Sequence, residues 1–181
     1  MSEAVIEAAS DAVGVDWPRI GDSIATFGGD WATYCDSCYE LYYRDFYTTK
    51  PTWPVGRKRF AIKRQPELDG QCHTFWHLVT EGDDETSRLP ALNRCERICW
   101  PRLVLDEFAS LHPASGSDRI CWWKSERRGE DRYIIALADF SYVVVIADRG
   151  DYVLLWTAYP VEYSSRRRKL EREHDEFWRK G

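Results

Sequence analysis

The sequence predicts an α+β domain: N-terminal helices, then a curved antiparallel sheet built as a meander, then a C-terminal helix. Three observations predict it. Between Arg132 and Val161, three runs rich in Val, Ile, Leu and Tyr are separated only by Asp139-Phe140-Ser141 and by Asp148-Arg149-Gly150-Asp151. Polar spacers that short join neighbouring antiparallel strands. Ahead of them, apolar and aromatic residues recur at helical intervals after Asp30, and behind them Ser164 and Ser165 open a strongly charged helical stretch. Helices followed by an uninterrupted set of strands is the order of an α+β fold.

The elements follow in turn. Residues 1–29 are weakly patterned, with a short helix over Ser2 to Val13, then Trp17-Pro18 and the Gly28-Gly29 break. From Asp30, an N-cap residue, Trp31, Tyr34, Cys35, Cys38, Leu41 and Tyr42 recur at three and four, and Pro51 and Pro54 close the helix. Arg59 to Lys63 alternates as a strand, Leu68-Asp69-Gly70 is a turn, and Cys72 to Thr80 reads as a second strand. Alternation there sets His73, Phe75 and His77 on one face, and Thr74, Trp76 and Leu78 on the other. Pro90 to Ile98 reads as a helix with Pro near its first position, ending before Pro101 and projecting Arg94 and Arg97. Pro101 to Phe108 fits a strand or a helix. Ile120 to Lys124 is a short strand leading through Arg127-Arg128-Gly129 into the meander. Its last run, Tyr152 to Leu155, is apolar almost without a break, as in a strand buried on both faces. The run ends in Thr157-Ala158-Tyr159-Pro160, where two hydroxyls at alternate positions leave the sheet on one face. The closing helix covers Arg166 to Lys180. Residues 1–55 form an N-terminal arm and helix, residues 56–181 the main domain, and at 181 residues the two make one compact unit.

Composition narrows the function. Nine Trp, ten Tyr and seven Phe supply an ample core, with some Trp available for stacking. The net charge of −5 argues against a generic nucleic-acid binder. Its distribution is uneven: acid crowds at Glu81-Gly82-Asp83-Asp84-Glu85, base at Arg57-Lys58-Arg59, Lys63-Arg64, Lys124 to Arg132 and Arg166 to Lys169. Local patches can still steer a polyanion. No apolar run approaches a membrane span and the N-terminus lacks a leader pattern, so the expected setting is cytoplasmic, without a membrane partner. The six cysteines are then expected as reduced thiols. With neither a Gly-rich phosphate loop nor a nucleophile elbow, nucleotide-driven phosphoryl transfer and α/β-hydrolase chemistry are set aside.

Three constellations could carry chemistry. His73 and His77, with Glu81 beyond, offer proton transfer near neutral pH, as an acid–base pair or as one working and one orienting imidazole. His73 reads better as a half-buried histidine bonded to a neighbour; for His77 both readings stand open. Arg94, Arg97, Lys124, Arg127, Arg128 and Arg132 form a cationic set whose guanidinium forks match phosphate oxygens. Cys35-x-x-Cys38, Cys72-His73 and Cys95-x-x-x-Cys99 invite a zinc reading, but no second pair completes a ligand set, and buried small hydrophobes explain these thiols better.

The Phe75-Trp76-His77-Leu78 stretch, together with the YVLLWTAY strand from Tyr152 to Tyr159, resembles the barnase–EndoU–colicin–RelE superfamily of ribonucleases, nearest its phage-associated and polymorphic-toxin branches. The resemblance spans roughly residues 58–170 and makes 56–181 the ribonuclease-like domain. It implies metal-independent cleavage needing no cofactor: the ribose 2′-OH attacks the adjacent phosphate and leaves a 2′,3′-cyclic phosphate and a free 5′-OH. His77 would be the general base or acid, Arg132 would neutralise the phosphorane with Arg94 or Lys124, and Thr157 and Tyr159 would hold the phosphate or share proton transfer. Trp76 or Trp156 would stack a base and His73 would contact substrate. The implied partners are RNA and a cognate antitoxin or immunity protein. A rival from another class is a non-catalytic protein-binding module (immunity, anti-defence or regulatory) on the same scaffold, its acidic balance facing a basic partner.

Overall fold

A computed structural model of the chain describes Trp17 and residues 28–82 and 87–180. The helix expected over Ser2 to Val13, and Asp83, Asp84 and Glu85 of the acidic run, lie outside the described residues. In chain order come α1 (Trp31–Tyr43), running on into a π-helical turn (Arg44–Thr48), β1 (Arg59–Ile62) and α2 (His73–Val79). Next are the two-residue strands β2 (Thr80–Glu81) and β3 (Leu89–Pro90), α3 (Leu92–Cys95) and α4 (Trp100–Leu111). The chain ends with β4 (Ile120–Arg127), β5 (Glu130–Leu137), β6 (Tyr142–Asp148), β7 (Tyr152–Pro160) and α5 (Ser164–Lys180). The architecture is α+β, as the sequence predicts.

Five strands form one sheet in the order β1-β7-β6-β5-β4. The meander β4 to β7 is antiparallel throughout, but β1 joins β7 in parallel, Phe60 opposite Val153, so the sheet is mixed. No tight turn links β1 to its partner, and a hairpin's direction rule therefore does not bind it. The β4–β5 hairpin closes through Arg128 (φ 56°) and Gly129 (φ 75°). Two left-handed residues there match the twist of the flanking strands.

Strand alternation sorts the core into two layers. Trp122, Tyr133, Ile135, Tyr142, Val144, Ile146, Val153 and Leu155 face the layer that holds buried residues of α1, α2 and α4. Cys121, Trp123, Ile134, Ala136, Val143 and Val145 face Leu170 of α5. Both faces are covered, which is why β6 reads as continuous Val and Ile.

A bulge decides which face the end of β7 presents. Val145 pairs with Thr157 while Ile146 pairs with Leu155, so Trp156 is the extra residue. The insertion shifts the alternation and turns Thr157 and Tyr159 to the α5 side of the sheet. They share a face, as their spacing predicts.

Two expected elements are corrected. Cys72 to Thr80 is α2, a helix rather than a strand. Its buried Phe75, Leu78 and Val79 fit a helical stripe, and its isolated propensity is overridden by partners elsewhere in the chain. The helix expected from Pro90 to Ile98 is only Leu92–Cys95, and Pro101 lies in the first turn of α4 rather than beyond a helix end. Proline lacks the N–H that this position would leave unbonded.

Lys58 ties the start of β1 to the end of β6: its Nζ lies 2.6 Å from both Asp148 carboxylate oxygens. Burial pushes the Asp148 carboxyl up, but the Lys58 bond and the Gly150 N–H outweigh it and hold the pKa below the ordinary 3.8. A depressed carboxylate adds stability above its unfolded pKa and loses it as pH falls through the folded value. Asp148→Asn is therefore expected to lose about 1 kcal/mol at neutral pH. That deficit should shrink as pH falls below about 4. Urea unfolding at both acidities checks this, and an equal deficit at both would refute it.

Candidate functional site

α2 is seven residues long, too short to persist alone, and its ends are pinned from outside. At the N-terminus the His73 and Thr74 N–H groups donate to the carbonyls of Arg64 and Lys63 at 3.0 Å each. Thr74 Oγ1 accepts from the Lys63 N–H at 2.8 Å. Past the C-terminus, Arg94 donates to the His77 and Thr80 carbonyls at 3.2 and 3.0 Å, and Arg88 to the Thr80 carbonyl at 2.7 Å. Cations on those carbonyls also complement the helix dipole. Burial lowers the Arg94 pKa, with Glu81 offsetting part of that effect.

On this helix His73 and His77 stand one turn apart, and their rings stack at 4.3 Å with planes inclined by 23°. Lys63 Nζ lies 3.2 Å from His73 Nε2. An ammonium can only donate, so His73 Nε2 takes the acceptor role in this contact. Pro66, Glu67, Trp76 and Arg88 complete a pocket of about 250 Å³ around the two histidines. The Trp76 indole is fixed by its Nε1 bond to the Leu68 carbonyl at 3.0 Å.

His77 meets the edge of Trp156 at 6.3 Å. The Arg132 and Arg149 guanidinium carbons lie 5.1 and 5.9 Å from the centre of the same indole. Glu130 holds both cations. It accepts from Arg132 Nε and Nη2 at 2.9 and 2.7 Å, and one of its oxygens lies 2.7 Å from Arg149 Nη2. Thr157 donates to the His77 carbonyl at 3.5 Å, and Arg94 lies 5.6 Å from the Tyr159 ring centre. His77, Arg94, Thr157 and Tyr159 thus meet where β7 runs past the end of β1.

Arg94 and Tyr159 line a hollow of about 220 Å³ beside Glu81 and Arg166, and two further hollows take others of the expected residues. His73, Trp76 and His77 line the α2 pocket. Arg132 and Tyr159 line a separate groove of about 410 Å³ between the sheet and α5, along with Arg127, Arg166 and Lys169. Lys124 belongs to neither: its Nζ sits 4.9 Å over the Tyr133 ring, on the opposite face of the sheet from Arg132. Sequence reasoning counted Lys63 only within a basic patch and passed over Arg88. Neither has a local signal, because what singles them out is a tertiary partner, His73 on α2 for Lys63 and Thr80 just past its end for Arg88.

Among the described residues, no group of three or more His, Cys, Asp or Glu could hold a metal ion. All six cysteines are free, and burial pushes Cys35 and Cys121 up to about 11 and about 12, leaving them unreactive. Among the described residues no helix is long and apolar enough to cross a membrane.

No family model, curated protein or solved structure matches this chain. The geometry of its own residues carries the functional argument.

Proposed function

We propose that the chain is a metal-independent endoribonuclease whose proton-transfer centre is the His73–His77 pair. The observation that carries this reading is the stacking of two imidazoles at 4.3 Å inside a pocket that also holds Trp76 and Arg88, with Lys63 against His73. Transesterification needs a base for the 2′-OH, positive charge beside the phosphorane and a proton for the departing 5′-oxygen. His77 takes the 2′-OH proton as the 2′-oxygen bonds to phosphorus, and the imidazolium so formed returns that proton to the 5′-oxygen as the P–O5′ bond breaks, leaving a free 5′-OH. His73, anchored by Lys63, orients His77. The Arg88 guanidinium, itself bonded to Thr80 and Gly82, brings charge to the pocket lining, the Lys63 ammonium brings it against His73, and Trp76 offers an indole for a splayed base. Arg94, Thr157 and Tyr159 support α2 from behind. A toxin-like or phage-related setting in the cytoplasm, with a cognate antitoxin or immunity protein, goes with this reading.

The test is incubation of purified protein with labelled RNA in excess chelator. Fragments ending in 2′,3′-cyclic phosphate and 5′-OH are expected. Intact RNA, or fragments ending in 5′-phosphate, would refute the proposal.

One observation favours the protein-binding alternative. Three of the four groups first expected to be catalytic are engaged within the fold, Arg132 by Glu130, Thr157 by the His77 carbonyl and Tyr159 by Arg166. On that reading the module captures a defined protein and cuts no RNA, and replacing His77 or Thr157 leaves capture unchanged.

A further inference from the structure

Beside the α2 pocket, α1 and its π-helical extension present Tyr39, Tyr43 and Tyr47 as a ladder along one stripe. The buried positions Tyr34, Cys38 and Tyr42 explain the core-facing side of this helix, but not its neighbour. Tyr43 and Tyr47 lie parallel, with ring centroids 4.7 Å apart and planes inclined by only 9°. Tyr39 follows at 6.2 Å from Tyr43, tilted by 55°. Tyr43 is 48% exposed, whereas its neighbours Tyr34, Tyr42 and Phe46 are buried.

The surroundings are basic. The Arg64 guanidinium carbon lies 5.3 Å from the Tyr47 ring centre. Lys50, Arg59 and Arg64 line a hollow of about 170 Å³ that opens beside Tyr47 and Phe60. Lys50, Arg59 and Arg64 are exposed, and one acidic side chain, Glu40, is exposed within one turn of Tyr43. Arg44, in the turn itself, is held by Asp45 at 2.7 Å. A stacked aromatic pair rimmed by cations is the arrangement that receives an unpaired base on the ring and its phosphates on the rim.

The ladder also connects to the histidine pocket. Lys63 reaches His73 while the next residue, Arg64, reaches Tyr47. Consecutive Cα atoms are only about 3.8 Å apart, so the two sites are neighbours along one strap of chain. We propose that a single-stranded RNA seated at the His73–His77 pocket crosses Lys63 and Arg64 and stacks an unpaired base on the Tyr43–Tyr47 pair. This rests on the ribonuclease reading for the chemistry at the pocket, and it names the substrate as unpaired RNA. A duplex cannot comply, since its bases are already stacked and its faces closed.

The experiment measures binding of a fluorescent 2′-O-methyl RNA oligonucleotide, which lacks the attacking hydroxyl, to wild type, Tyr43→Ala, Tyr43→Phe and His77→Ala. Tyr43→Ala is expected to weaken binding about 5- to 100-fold, the range for loss of one stacked base. Tyr43→Phe keeps the ring and should bind nearly as wild type, and His77→Ala serves the cleavage comparison. A duplex of the same sequence should bind at least tenfold more weakly, about one factor of ten in affinity being a clear preference. Equal affinity of Tyr43→Ala and wild type, equal affinity for duplex, or no binding at all would overturn the platform. Tyr43-dependent binding with no cleavage of ordinary RNA would retain the platform and sink the nuclease. Cleavage that His77→Ala abolishes and Tyr43→Ala leaves unchanged would do the reverse.

Discussion

His77→Ala is expected to lower RNA cleavage by about 10²- to 10⁴-fold, the contribution of one well-placed acid–base group. The loss should fall on the chemical step, so single-turnover cleavage is the measurement that isolates it. The substitution removes a partly buried ring that stacks on His73 and meets Trp156, so some stability goes with it. A urea titration on the same preparation separates the two effects. His73→Ala provides the contrast. If His73 only orients His77, that variant should lose less rate than His77→Ala while retaining the wild-type pH dependence. Cleavage by His77→Ala at the wild-type rate would remove the imidazole from the mechanism, and equal losses in both variants would make the pair a single unit.

How much of this was legible in the sequence depends on the distance over which each feature is decided. α1, strands β5 to β7 and the closing helix follow from local periodicity and turn residues, because alternation and caps act within a few positions. The misreading of Cys72 to Thr80 arose where both periods fit: aromatic and β-branched residues favour a strand, while Phe75, Leu78 and Val79 also make a helical stripe. His73 and His77 are four apart, which is a shared face in a strand and one turn in a helix. The pair therefore survived the wrong assignment, whereas Phe75 moved from their face into the core. The arginines were the least readable. Arg94 and Arg132 look alike as cations in a list, yet one holds the end of a helix and the other is clamped by Glu130. Charge along a chain shows where cations are, and only the tertiary fold shows which are already engaged. The bulge at Trp156 lies beyond the same horizon, since it is defined by the mismatch between two strands and by no residue type.

Phe75→Ala is expected to destabilise the protein by about 3–5 kcal/mol, the usual cost of emptying a fully buried phenylalanine site. Phe75 is 0% exposed and lies 5.0 Å from Tyr39, 5.4 Å from Tyr42 and 5.5 Å from Trp76 between ring centroids. It is thus the main apolar link between α1 and α2. Two features raise the cost. The rings around it are large and rigid and close poorly over a void. A seven-residue helix also has little stability of its own to fall back on once its buried face is cut away. Phe75→Leu retains most of the volume and should cost only about 1–2 kcal/mol. Urea unfolding of both variants checks the ranking, and a deficit under about 1 kcal/mol for alanine would mean that α2 is held by its pinned ends alone. The functional consequence differs from that of His77→Ala. Phe75 lies on the other side of α2 from the imidazoles, so the leucine variant should cleave at a near wild-type rate wherever it remains folded. A leucine variant that is stable but as slow as His77→Ala would instead show that packing behind α2 sets the angle of the imidazoles.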